Sequence, residues 1–131
     1  MRDAGIAARA LTQRPNRRHR HLPPQPWSVT STRHMVDAAC AAWQIPAVTQ
    51  PAQAIVSELA GNAVLHAATE FDVTLSLLAG HLRISVRDRS TTLPHRSMDT
   101  KSALTEGGRG LMITEALSAD DGKTVWAIVR T

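Results

Sequence analysis

From Ser31 the apolar residues fall into step: Met35, Val36, Ala39, Cys40 and Trp43 recur three or four positions apart. That spacing predicts a helix with one buried stripe, capped by Ser31 or Thr32 and ended by Pro46. A second helix is predicted over about Val48 to Ala67, with Thr49 as its N-cap and Pro51 tolerated in the first turn. The period then changes from helical to alternating. Phe71–Ala79 (FDVTLSLLA) and Leu82–Asp88 (LRISVRD) alternate apolar and polar positions around Gly80-His81, which reads as a hairpin. Arg89–Gly108 carries no sustained periodicity, and so long an irregular stretch in a small domain reads as a lid or binding loop. Leu111–Leu117 predicts a short helix, Asp120-Asp121-Gly122 a turn, and Thr124–Val129 (TVWAIV) a final buried strand. This order implies an α+β two-layer sandwich, with helices on one face of a mostly antiparallel sheet.

Before Trp27 the pattern is different. Arginine, histidine and proline crowd together (RPNRRHRHLPPQP) with little apolar material to offset the entropy of ordering. Residues 1–26 are therefore expected to be a disordered basic tail, and residues 27–131 a single domain. The tail explains the basic balance of the chain. Six of the 15 Lys and Arg (Arg2, Arg9, Arg14, Arg17, Arg18, Arg20) precede Leu22 against one acid, Asp3; nine bases then face ten acids in the remainder. The charge suggests a nucleic-acid arm as the functional alternative, but with neither a folded reading element nor an aromatic platform the tail reads first as a solvated segment. The lone cysteine, Cys40, excludes an internal disulfide framework and sits where a small buried hydrophobe would, so a reduced, cytoplasmic setting is expected. No apolar run reaches the ~20 residues that span a bilayer, and the basic start lacks the apolar stretch of a secretory signal.

Three features have chemical content. Glu58, Asn62 and His66 are four apart and form a polar stripe beside Ile55, Leu59, Ala52 and Ala63, at the edge of the core-facing side of the second helix. A carboxylate there can orient a nucleophile and an amide oxygen suits Mg²⁺, while spacing alone equally describes a hydrogen-bonded polar edge. Gly107-Gly108-Arg109-Gly110-Leu111 leads into a predicted helix start, where glycine backbone and free N–H groups favour phosphate. Arg109 can add charge-assisted bonds. Asp88 ends a strand at the mouth of the irregular loop, placed either to accept a purine amine or to form a turn.

Taken in order, Glu58-Leu59-x-x-Asn62-Ala63-x-x-His66-Ala67, Asp88-x-Ser90 with Leu93-Pro94, Gly108-Arg109-Gly110-Leu111 and Gly122-Lys123-Thr124-Val125-Trp126 resemble the gyrase, histidine-kinase and MutL-type ATPase superfamily, the Bergerat fold. The resemblance is nearest to the bacterial anti-sigma-factor serine-kinase branch and runs from about Trp27 to Arg130. It implies helices on one face of a mixed, mostly antiparallel sheet, with ATP and Mg²⁺ as ligands. It further implies Glu58 as general base or water-orienting residue, Asn62 as the protein ligand of Mg²⁺ and Asp88 as the partner of the adenine amine. Gly108, Arg109 and Gly110 would wrap the phosphates, with Leu111 closing that segment, and Thr124 would support the adenine through its hydroxyl; His66 receives no catalytic role. The implied activity is transfer of the ATP γ-phosphate to a serine of an anti-sigma-factor antagonist, sequestration of a sigma factor, or both. A non-catalytic nucleotide- or partner-binding module of the same fold is the alternative, and homodimerisation is left open. Two departures bear on this. Ser90 stands where the superfamily has glycine, and only Ser118 to Asp121 separate Leu117 from Gly122, which leaves room for a sheet one strand short.

Overall fold

The computed structural model describes residues 16–90, 111–119 and 122–131. Five strands form one sheet in the order β1-β2-β3-β5-β4, with every neighbouring pair antiparallel. They are β1 (Arg17–Leu22), β2 (Phe71–Leu78), β3 (His81–Asp88), β4 (Leu111–Ala119) and β5 (Gly122–Arg130). Helices α1 (Pro26–Ala42) and α2 (Thr49–Asn62) pack on each other; α1 also meets β2, and α2 meets β3 and β5. The alternation read in the sequence decides which face they cover. Phe71, Val73 and Leu75 of β2, Leu82, Ile84 and Val86 of β3, and Val125, Ala127 and Val129 of β5 are all buried at every second position. They meet a helical stripe of Val36, Ala39 and Cys40 from α1 and Ile55, Val56, Leu59 and Ala60 from α2. This is the expected two-layer α+β arrangement.

Each helix ends without glycine. At the end of α1, Ile45 N–H donates to the Cys40 carbonyl (2.9 Å) and Gln44 N–H to the Ala41 carbonyl (3.2 Å), the two bonds of a Schellman cap. Gln44 supplies the left-handed residue at φ 58°. After α2 the helix widens into a π-turn, Ala63–Ala67, closed by Ala68 N–H to the Ala63 carbonyl at 2.8 Å, with Ala68 itself left-handed at φ 53°. Ala68–Glu70 then lead directly into Phe71, whose cross-strand partner is Asp88. The C-terminal end of α2 is thereby held at the same end of the sheet as the last residue of β3.

Three expectations are corrected. Arg17–Leu22, read as part of a disordered tail, forms the edge strand β1; residues 1–15 lie outside the described residues. The strand holds by backbone pairing, by Leu22 (3% exposed) against the core opposite Phe71, and by side chains on both faces. On the helix side the Arg18 guanidinium lies 5.0 Å from the Trp43 ring centroid. On the outer side His19 Nε2 and His21 Nδ1 both donate to Asp72 Oδ1 (3.0 and 2.9 Å), and His21 Nε2 donates to Glu70 Oε1 (2.7 Å). Second, Leu111–Leu117, expected to be helical, lies within strand β4. The outer edge of β5 needs a partner, and pairing demand overrides a helical pattern this short. Third, the strand that the short link before Gly122 leaves in doubt is therefore present, formed by the segment read as helix, and no parallel pairing occurs among the described strands. The predicted loop Arg89–Gly108 lies, beyond Ser90, outside the described residues.

Truncating Leu22 to alanine should lower unfolding free energy by about 2–4 kcal/mol in denaturant titrations, because it empties a buried site opposite Phe71. A solvated tail would give no measurable change. The histidine clasp adds a pH dependence. Carboxylates only accept, so His21 bonded through both nitrogens must be protonated. Its pKa is raised above 6.5 by its bonds to Glu70 and then Asp72, and that of Glu70 is lowered below 4.5 by His21. The His21 contribution is thus complete below pH 6.5 and lost as pH rises through the higher folded value; the Glu70 contribution is complete above pH 4.5 and lost as pH falls through its depressed value. Denaturation of the natural chain against His21→Gln should show its largest difference between pH 4.5 and 6.5 and a shrinking one as pH rises through the raised folded value of His21.

Candidate functional site

Glu58 and Asn62 lie one turn apart near the C-terminal end of α2, Glu58 exposed and Asn62 half-buried, with Leu59 and Ala63 buried beside them. The polar stripe is therefore at the edge of the core. His66 falls in the π-turn and is exposed. The short route from Ala63 to Phe71 carries Asn62 to the end of the sheet where β3 finishes and β5 begins. Asp88 and Lys123 meet there as cross-strand partners.

Asp88 follows Leu82, Ile84 and Val86 on the helix-facing side of β3, and Lys123 precedes Val125, Ala127 and Val129 on the same side of β5. Each is only 5% exposed, and Lys123 Nζ donates to Asp88 Oδ2 at 2.7 Å. The other oxygen, Oδ1, accepts the Ser90 backbone N–H at 2.8 Å. A buried charge is costly to desolvate unless it is paired and hydrogen-bonded, and each of these partners meets that requirement of the other. Gly122 makes the contact close. Its φ is 149°, and a Cβ there would fall on the Asp88 carbonyl oxygen, so no side chain fits.

Thr124 goes elsewhere. It stands between buried Lys123 and Val125, so its side chain points to the opposite face, where its cross-strand partner is Arg87. The structure brings Asp88 together with Lys123 and not with Thr124. Lys123 was missed by the sequence reading, although a signal existed: Lys123, Val125, Ala127 and Val129 share one parity on β5. Leu111 lies in β4 opposite Val129, while Gly108, Arg109 and Gly110 lie outside the described residues.

A polar hollow of about 210 Å³ opens at this end of the sheet, lined by Glu70, Asp72, Arg87, Asp88 and Arg89. It is smaller than the ~300–1,000 Å³ of ordinary ligand pockets and is lined by charged groups.

Residues 22–122 match the histidine kinase-like ATPase domain. The chain belongs to that family. The match begins at the last residue of β1, contains Glu58, Asn62 and Asp88, and stops at Gly122, one residue before the lysine that pairs with Asp88. No curated protein matches the chain. Among the described residues of this histidine kinase-like ATPase domain, no helix is long and apolar enough to cross a membrane.

The residues present fit the family's ligands unevenly. At the metal end, Asn62 offers an amide oxygen with the Glu58 carboxylate one turn away, a donor set suited to a hard cation that keeps waters and phosphate oxygens. At the base end, the carboxylate that would receive an adenine amine already holds an ammonium and a backbone N–H.

The strength of that pair can be measured directly. Asp88→Asn should cost about 3–5 kcal/mol of unfolding free energy, because it leaves the Lys123 ammonium buried without an ionic partner. A loss below 1 kcal/mol would show that Lys123 reaches water instead.

Proposed function

We propose that this histidine kinase-like ATPase domain is an ATP-binding regulatory protein of the anti-sigma-factor serine-kinase type. In this reading it transfers the γ-phosphate of ATP to a serine of an anti-sigma-factor antagonist, sequesters a sigma factor, or does both. The observation that carries the reading is the family match through α2, in which Glu58 and Asn62 stand one turn apart at the end of the sheet that also holds Asp88.

Bound Mg²⁺ would neutralise phosphate charge and hold the γ-phosphate in line, chemistry in which positioning and electrostatics do most of the work. Asn62 would hold the metal through its amide oxygen. Glu58, exposed and so accessible to a second substrate, would accept the proton of the attacking serine hydroxyl. Gly108, Arg109 and Gly110 retain their proposed role as phosphate donors, whereas Leu111, opposite Val129 at the far end of β5, and Thr124, on the face opposite Asp88, do not keep the places expected of them at the nucleotide.

A second reading, a partner-binding module without turnover, is favoured by two observations. Asp88 is engaged by Lys123, and the segment after Gly110 is strand β4 in place of the expected helix. A helix N-terminus that would have directed free N–H groups and a dipole at phosphate is absent from Leu111–Ala119.

Calorimetry with ATP and Mg²⁺, followed by assay for phosphate release and serine phosphorylation, separates the two. Asn62→Ala should weaken Mg-dependent ATP binding by roughly tenfold or more. Glu58→Ala should leave binding largely intact while lowering turnover by roughly 10²–10⁴-fold. ATP binding without turnover in the natural chain selects the module.

A further inference from the structure

The Asp88–Lys123 pair bears on which purine the site can select. We propose that the Lys123 ammonium is an internal occupant of the position where Asp88 would receive the exocyclic amine of a purine, so that the site does not select for a 6-amino group. The inference rests on the reading of this end of the sheet as a purine nucleotide site.

The competition is between two N–H donors for one carboxylate. Lys123 Nζ holds Asp88 Oδ2 at 2.7 Å, with both groups 5% exposed, while Ser90 N–H holds Oδ1 at 2.8 Å. A purine amine is neutral, whereas the ammonium adds an opposite charge to its hydrogen bond, which makes it the stronger partner for a buried carboxylate. Replacing the ammonium by the amine would also leave a positive charge buried without a partner. The lysine has little freedom to yield by a strand shift. Cross-strand register fixes Lys123 opposite Asp88, and Gly122 abuts the Asp88 carbonyl so closely that even a methyl group is excluded. Downstream, Val125, Ala127 and Val129 anchor β5 in the core. Lys123 is therefore the specificity-determining residue at the base end, and Thr124, on the opposite face, does not compete with it for Asp88.

The test compares ATP with purine riboside triphosphate, which carries hydrogen in place of the 6-amino group, by calorimetry on the full chain in Mg²⁺. The natural chain should bind the two within about twofold of each other, since the Lys123 ammonium holds Asp88 Oδ2 and only 5% of Asp88 is exposed. Lys123→Thr should raise ATP affinity roughly tenfold and create a preference of similar size for ATP over the 6-hydrogen analogue. A tenfold preference for ATP in the natural chain would overturn the proposal without any variant, which keeps the test decisive if Lys123→Thr fails to fold. Comparable affinities in the natural chain that Lys123→Thr leaves unchanged would overturn it while the nucleotide reading stands. Absence of binding by either triphosphate to either protein would sink the nucleotide reading and this inference together.

Discussion

Two opposite charges, each 95% withdrawn from water, fasten the end of β3 to the start of β5, and much of the molecule is arranged around keeping them there. Either charge alone would cost several kcal/mol to bury. Together they are tolerable because the cross-strand register places them side by side, and the register is set by the apolar partners farther along the same strands. Val86 faces Val125 and Ile84 faces Ala127; a slip by one residue would turn Lys123 outward and drive Thr124, Trp126 and Ile128 into the helix layer. The hydrophobic core thus fixes a polar contact, and the polar contact reports on the chemistry at the sheet end.

That end is where the rest of the candidate site gathers, for a reason of chain geometry. The π-turn after α2 and the short run to Phe71 allow no excursion, so Asn62 remains near the strand end that pairs with Asp88. Glu58 follows one turn away. The two parts of the candidate site are positioned by different elements: α2 sets Glu58 and Asn62, and the meeting of β3 with β5 sets Asp88 and Lys123. The two parts can therefore vary independently, so that Lys123 fills one without disturbing the oxygen donors of the other.

Much of this could be read in the sequence. The apolar stripes of both helices and the Phe71–Asp88 hairpin were legible because their periods are unbroken and because Gly80 marks the turn, but the helix starts were not: α1 begins at Pro26, which places Ser31 and Thr32 inside it, and Val48 rather than Thr49 stands at the N-cap of α2. Strand β1 was not legible: RRHRHL has a single apolar residue, and its outer-face partners, Asp72 and Glu70, lie some fifty positions away. Its outer-face positions Arg17, His19 and His21 alternate with Arg18, Arg20 and Leu22, a period that the charge density concealed. Strand β4 was misread because Glu115, Ala116 and Leu117 are good helix formers and nothing local records the open edge of β5. Of the candidate site, the Glu58–Asn62 stripe and the place of Asp88 at a strand end were legible. Lys123 was not legible from the motif, which points to the neighbouring threonine, but strand parity places Lys123 with Val125, Ala127 and Val129 and assigns Thr124 to the other face.

The composition of β1 also governs how this sheet meets other molecules of its own kind. An outermost strand offers unpaired backbone groups to any passing strand, and a second copy would be the most abundant candidate. Here that strand carries Arg17, Arg18, His19, Arg20 and His21 in succession. Two such edges approaching antiparallel would bring cation against cation, a repulsion to which a protonated His21 adds. Protonation of His21 therefore acts twice, tying the strand to Asp72 and Glu70 of its own sheet and adding to the charge that a second edge would meet.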